Sequence, residues 1–323
     1  MRAAPVVAGA TVGGKIRSCT LTNIMPLTRW KLGATGFASA VLASATSANA
    51  TQPVDWQMGL QQAGSEIMHK IVWFNNFTLV IITVITLFVL GLMAYCIVKF
   101  NEKANPNPTK TTHNTLIEVV WTVVPILVLV IIAIPSFRLL YDQLEVPPVD
   151  ITIKVTGYQW YWGYEYTDEA NGGVSFDSLL LTDQADIAQK ASSQGVSMAD
   201  MPRLLTVDND LVVPVGKVVR VHVTAADVLH AFTVPAFGFK IDAVPGRLNE
   251  TWFKADREGM YFGQCSELCG KDHGFMPIVV RVVSDDQFAA FIKAAQDGDL
   301  ENAYQVLAQK IDTDKKLAAL ASN

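Results

Sequence analysis

The sequence predicts a mixed, membrane-anchored fold in which an N-terminal two-helix transmembrane hairpin is followed by an all-β Greek-key domain. Three observations predict it. Two long uncharged runs lie in the first half of the chain, short alternating strands follow them, and cysteine, histidine and methionine cluster just before the last strand. Of the 323 residues 50% are hydrophobic, which leaves room for two membrane spans beside a folded domain.

Residues 1–50 carry Arg2, Lys15, Arg17, Arg29 and Lys31 but no Asp or Glu, and close on Ala48-Asn49-Ala50. This reads as a secretory signal peptide cut after Ala50. The stretch from Met25 alone has the charged start, apolar middle and A-x-A end of such a signal, so Met25 is the expected start codon. Cleavage removes five of the 25 basic side chains and none of the 30 acidic ones, leaving a net charge of about −10 with histidine neutral. An acidic extracytoplasmic protein suits a cationic partner and argues against nucleic acid.

After an extracytoplasmic segment, 51–70, the 28 residues from Ile71 to Val98 hold no charge between Lys70 and Lys99. That is long enough to cross the ~30 Å hydrocarbon layer, so 71–98 is the first transmembrane helix. Trp73, Asn75 and Asn76 suit the headgroup region at its start. The loop 99–115 holds Lys99, Lys103 and Lys110 against Glu102 alone, which makes it cytoplasmic and turns both termini outward. The second span, 116–140, has nineteen uncharged residues between Glu118 and Arg138 and tolerates Pro125 and Pro135 inside the membrane. Thr115 and Glu118 have capping-box spacing at its start, which would keep the carboxylate near water. A carboxylate within a span is also a functional candidate.

From 145 to 284 the composition turns to β, in ITIKVTGYQWYWGYEY, LLTVDNDLVVPVGKVVRVHVTA and IVVRVV, separated by glycine and proline turns. Such strands predict a Greek-key sandwich or barrel. Tyr158, Trp160, Trp162, Tyr164 and Tyr166 alternate, so they are placed on one face of a single strand as a largely packed aromatic surface. His222 alternates with valines and is expected to face outward, and Met260 is expected to pack. Residues 182–203 are polar and read as an insertion between strands, and 285–323 form an Ala-rich helical tail without a C-x-x-C-H haem motif.

The chemistry concentrates in GQCSELCGKDHGFM, Gly263 to Met276. Cys265, Cys269, His273 and Met276 follow one another at spacings of four, four and three, so two thiolates, an imidazole and a thioether can converge within one loop. Thiolate and thioether are soft ligands that favour copper, and a second cysteine supplies enough sulfur to bridge two copper ions. His230, about 35 residues upstream in DVLHAF, is the natural second histidine. A small disulfide between the cysteines is the alternative, since exported domains meet oxidising conditions, but it would leave His273 and Met276 unexplained. Cys19 leaves with the leader and Cys96 lies in the first span, so no disulfide framework is available.

The run from Cys265 to Pro277, with DVLHAFTVPAFGFKIDAVPGR before it, closely resembles subunit II of the haem–copper cytochrome c oxidases, and specifically the bacterial aa3-type. The resemblance spans about Glu66 to Val283. It implies a cupredoxin-like β-barrel carrying a dinuclear copper A centre, with Cys265 and Cys269 as bridging thiolates and His230, His273 and Met276 as terminal ligands. Glu267 would offer its backbone carbonyl to copper, and its carboxylate a magnesium ion shared with subunit I. Trp160 would be the electron-accepting residue towards docked cytochrome c, with Glu165, Asp168 and Asp227 on the docking surface. Glu118 would stand at the mouth of a proton path into subunit I. The implied partners are subunit I, subunit III, cytochrome c and membrane lipid. The implied place is the bacterial inner membrane, with the copper domain on the periplasmic side. A quinol-oxidase subunit would lack the copper ligands, a nitrous oxide reductase would lack the hairpin, and a copper-delivery protein would need no aromatic residue for electron uptake.

Overall fold

The computed structural model describes residues 50–321, so most of the predicted leader, and Met25, lie outside the described residues. The first span is α1 (Glu66–Lys99) and the second α2 (Thr115–Leu144), both long and apolar enough to cross a membrane. Neither apolar stretch is covered by the other described residues, which leaves both open to lipid or partner subunits.

Helix α1 begins five residues before the uncharged run because its first turn docks on the β domain rather than entering lipid. Ser65 caps it, accepting from the Met68 N–H at 3.1 Å, while its own hydroxyl donates to the Phe237 carbonyl at 2.7 Å. Arg257 donates to the Ala63 carbonyl at 2.7 Å, and Gly64 packs so closely on the Tyr261 ring that no side chain would fit there. Lys70 joins the outer ends of the two helices through Asp142 at 3.0 Å.

The start of α2 departs from the predicted capping box. Asn114, not Thr115, is the cap: its side chain accepts from the Ile117 N–H at 3.2 Å, and Glu118 Oε1 accepts from the Asn114 N–H at 3.3 Å. Both residues can cap, but asparagine is the stronger capping residue, so Thr115 becomes the first helical residue.

The strands are β1 (Ala50–Thr51), β2 (Ile151–Tyr158), β3 (Tyr161–Tyr166), β4 (Ser175–Ser178), β5 (Leu211–Pro214), β6 (Val219–Ala225), β7 (His230–Val234), β8 (Phe239–Ala243), β9 (Asn249–Phe253), β10 (Gly259–Gln264) and β11 (Pro277–Val283). They form a four-stranded sheet in the order β1-β10-β11-β5, a five-stranded sheet in the order β4-β3-β2-β6-β9, and the β7–β8 hairpin. The inward faces share one core, in which Ile153, Val155, Val221, Val223, Phe232, Ile278 and Val280 are fully buried. Each such side chain stabilises the fold by roughly 1.5–3 kcal/mol through burial.

The aromatic run is not one strand. It breaks at Gln159–Trp160 into the antiparallel pair β2–β3, with Tyr158 opposite Tyr161 and their rings stacked at 4.8 Å. Trp162, Tyr164 and Tyr166 face the core as alternation requires, but Trp160 sits in the turn, only half-buried. Outward-facing His222 lies on β6 beside Glu250, and Met260 is half-buried on β10. The 182–203 insertion holds the amphipathic helix α3 (Gln184–Gln194), which buries Ile187 and Ala191. The tail forms α4 (Asp285–Gln296), started by a Ser284/Gln287 capping box, and α5 (Leu300–Ala321).

Candidate metal centre

Strands β10 and β11 are antiparallel, with Gln264 opposite Pro277, and the loop from Cys265 to Met276 joins them. The Cys265 N–H donates to the Met276 carbonyl at 3.2 Å and closes the loop at its base. Ser266 N–H donates to the Ala231 carbonyl at 3.0 Å, tying the loop to β7 next to His230. Gly263 lets β10 approach β7, since a side-chain carbon there would collide with the Thr233 carbonyl oxygen. Gly157 does the same on the other side, where an added carbon would fall 2.8 Å from His230 Cδ2.

This framework brings the predicted donors together. The two sulfurs of Cys265 and Cys269 lie 3.9 Å apart. Cys265 Sγ is 3.8 Å from His230 Nδ1 and 3.3 Å from the Glu267 carbonyl oxygen, while Cys269 Sγ is 3.5 Å from both His273 Nδ1 and Met276 Sδ. His230, Cys265, Cys269 and Met276 are buried and His273 half-buried, so the donors face one another rather than water. Bonds of ~2.3 Å from a metal to each sulfur would allow shared ions across a 3.9 Å gap. The donor set of two thiolates, two imidazoles, a thioether and a carbonyl therefore fits soft, copper-type ions.

Around the donors lies a supporting network that joins Asp227 and Trp160, already singled out in the sequence for docking and electron uptake, with Gln159, which was not. Asp227 Oδ1 meets His230 Nε2 at 3.0 Å, and its other oxygen accepts from the Gln159 N–H at 2.8 Å. With Nε2–H donating to this carboxylate, the Nδ1 lone pair faces the sulfurs, which is the tautomer a metal needs. Gln159 Nε2 and the Trp160 indole N–H both donate to the Cys269 carbonyl, at 2.9 and 3.2 Å. Trp160 is thus joined to the ligand loop by one hydrogen bond. The signal available in sequence was the three-residue spacing of Asp227 and His230, which a docking role for Asp227 had absorbed.

Electrostatics separates the two thiols. Burial raises the Cys265 thiol, but bonds from His230 and from the backbone around it win, bringing it down to about 6. Burial and then the neighbouring Cys265 thiolate push Cys269 up to about 12. Burial pulls the His230 imidazole down, and Cys265 and Asp227 more than reverse it. Metal uptake at this set must therefore expel protons, so its apparent affinity weakens as pH falls.

The other predicted residues are dispersed. Glu267 turns its carbonyl inward and its side chain to solvent. Glu165 pairs with Lys154 at 3.1 Å on the surface, and Asp168 accepts from Asn171 to shape the turn after β3. Glu118 sits in the first turn of α2, where its carboxylate accepts from the Asn114 N–H and its carbonyl from the Thr122 hydroxyl.

Comparison with known proteins agrees with this architecture. Residues 151–283 match the family described as cytochrome c oxidase subunit II, periplasmic domain, and 53–139 match its transmembrane domain. A probable cytochrome c oxidase subunit 2 of Rickettsia bellii is 48% identical over 254 residues, covering 77% of this chain and 90% of the relative. Cytochrome c oxidase subunit 2 of Cereibacter sphaeroides is 45% identical over 287 residues, covering 85% and 93%. The crystal structure of the periplasmic domain of subunit II of cytochrome oxidase of Bradyrhizobium japonicum shares 57% identity, covers 48% of this chain and 99% of that one, and superposes with a TM-score of 0.41. The chain belongs to the cytochrome c oxidase subunit II family and is a subunit of a haem–copper oxidase.

Proposed function

We propose that this subunit accepts electrons from cytochrome c at a dinuclear copper A centre and passes them to haem in subunit I, where oxygen is reduced and protons are pumped. The observation that carries the reading is the donor cluster, in which Cys265 and Cys269 sit between His230 on one side and His273 and Met276 on the other. Two facing sulfurs suit bridging, the flanking groups suit terminal ligation, and the Glu267 carbonyl 3.3 Å from Cys265 Sγ suits a weak further ligand. Cys265 and Cys269 with His230, His273 and Met276 would hold copper here, and the bound metal would supply one-electron chemistry with little rearrangement on reduction.

The protein's own groups do the rest. Asp227 orients His230, and the closed loop base excludes water from the sulfurs. Trp160 is the electron-accepting residue, because its half-exposed ring is hydrogen-bonded to the carbonyl of Cys269. Glu165, Asp168 and the partly exposed Asp227 belong to an acidic docking surface for a cationic donor, with the Glu267 carboxylate free for magnesium at the subunit I contact. The lysine-rich 99–115 loop faces the cytoplasm and the β domain the periplasm, anchored by the hairpin after removal of residues 1–50. Glu118 takes up protons for subunit I. Metal analysis of the purified chain tests the reading: two coppers per chain are expected, and a single copper, or zinc retained in preference, would overturn it.

A further inference from the structure

We propose that Gln159 is a positioning residue for electron uptake, a role that rests on the copper reading above: its side-chain amide holds the Cys269 peptide against the Trp160 ring. Gln159 follows the last residue of β2, at the head of the turn that carries Trp160. Its N–H donates to Asp227 Oδ2 at 2.8 Å, and Asp227 Oδ1 lies 3.0 Å from His230 Nε2. Its Nε2 donates to the Cys269 carbonyl at 2.9 Å, the same oxygen that accepts from the Trp160 indole N–H at 3.2 Å. One residue thus reaches the His230 flank of the donor set through its backbone and the Cys269 flank through its side chain.

The two halves of this link answer differently to substitution. The bond to Asp227 comes from the main chain, so any residue except proline keeps it and leaves His230 oriented. The bond to Cys269 needs a side chain of this length that ends in an N–H donor. Gly270 makes room for it, since a carbon added there would fall 3.0 Å from Trp160 Cζ2 and 3.2 Å from Gln159 Nε2 and would press on both donors. Trp160 meets the ligand loop through that one oxygen, so a Cys269 peptide free to turn lengthens the link an electron must cross. The amide also sets the positive end of an N–H dipole on the Cys269 side of the site, which favours the added electron. Gln159 itself is exposed, so replacing its side chain leaves the core untouched.

Gln159→Met keeps the length and the neutral charge but has no donor. Redox titration of the copper-loaded full chain in detergent, together with its reduction by cytochrome c over a range of donor concentrations, tests the role. The variant should hold as much copper as the wild type, show a lower reduction potential, and take up electrons more slowly by roughly tenfold at saturating donor. The donor concentration giving half the maximal rate should not change. A potential and a saturating rate equal to wild type would overturn the proposal. So would a raised half-saturating concentration with the saturating rate intact, which would make Gln159 a docking contact only. Loss of copper would overturn it too, because the side chain would then build the site rather than align it. Absence of a copper pair from the unsubstituted chain would bring down the copper reading itself, which separates the two failures.

Discussion

The candidate metal centre and the N-terminal end of α2 are each built around residues singled out for chemistry, yet they are held in opposite ways. At the metal centre, β7, β10, the β2–β3 turn and the β10–β11 loop must all be in place before His230, Cys265 and Cys269 can meet. At the other end, roughly 40 Å along the helix at 1.5 Å per residue, Glu118 bonds Asn114 through both its carboxylate and its own N–H, and its carbonyl accepts from Thr122, all within one turn. The difference teaches that the first site is preorganised by long-range packing, whereas the second is a local feature that gains meaning only against a partner. Disturbances should therefore spread at the metal centre and stay confined at Glu118.

The largest effect should come from Cys265→Ser. A hydroxyl cannot replace the thiolate that faces His230, Cys269 and the Glu267 carbonyl, so copper binding should fall to one ion per chain or none, as metal analysis will read. Next comes Gly263→Ala, which touches no donor. Its added carbon would run into the Thr233 carbonyl oxygen, forcing β10 from β7 and displacing Cys265. Overpacking of this kind costs about 1–3 kcal/mol, and thermal unfolding of the metal-free chain should show it together with reduced copper content. A variant with normal copper would mean that the loop, not the strands, sets the site.

Asp227→Asn should be milder. The amide keeps the shape but cannot hold the His230 N–H as a carboxylate does, so copper affinity measured by chelator competition should fall by roughly 10–100-fold. Loss of donor docking with affinity intact would instead leave Asp227 with the docking role that the family resemblance implies. At the metal centre Glu118→Gln should do nothing, because glutamine can make the same bond to the Asn114 N–H. Oxygen consumption by the assembled oxidase should nevertheless drop, since the amide cannot ionise. Unchanged turnover would leave Glu118 as a capping residue.

How much of this was legible in the sequence follows the same division. The spans were readable because hydrophobic runs are local, and four of the five side-chain donors because Cys265, Cys269, His273 and Met276 share one loop. His230 needed the family resemblance to become a firm expectation, being 35 residues away on another strand. What stayed hidden depends on contacts between distant segments: Asp227 with Gln159, Trp160 with Cys269, and the Lys190–Asp210–Arg281 cluster, whose members no spacing rule connects. Two local readings also failed. Asn114 displaced Thr115 as cap because neighbouring residues compete for that position, and the alternating aromatics concealed a turn because alternation persists by number across Gln159 and Trp160 even though the strand does not.

The most direct test of the central claim is electron spin resonance of the copper-loaded chain after oxidation. One unpaired electron delocalised over two equivalent coppers through Cys265 and Cys269 predicts a seven-line hyperfine pattern, accompanied by near-infrared absorption. A four-line pattern from a single copper, or two independent copper signals, would contradict the account.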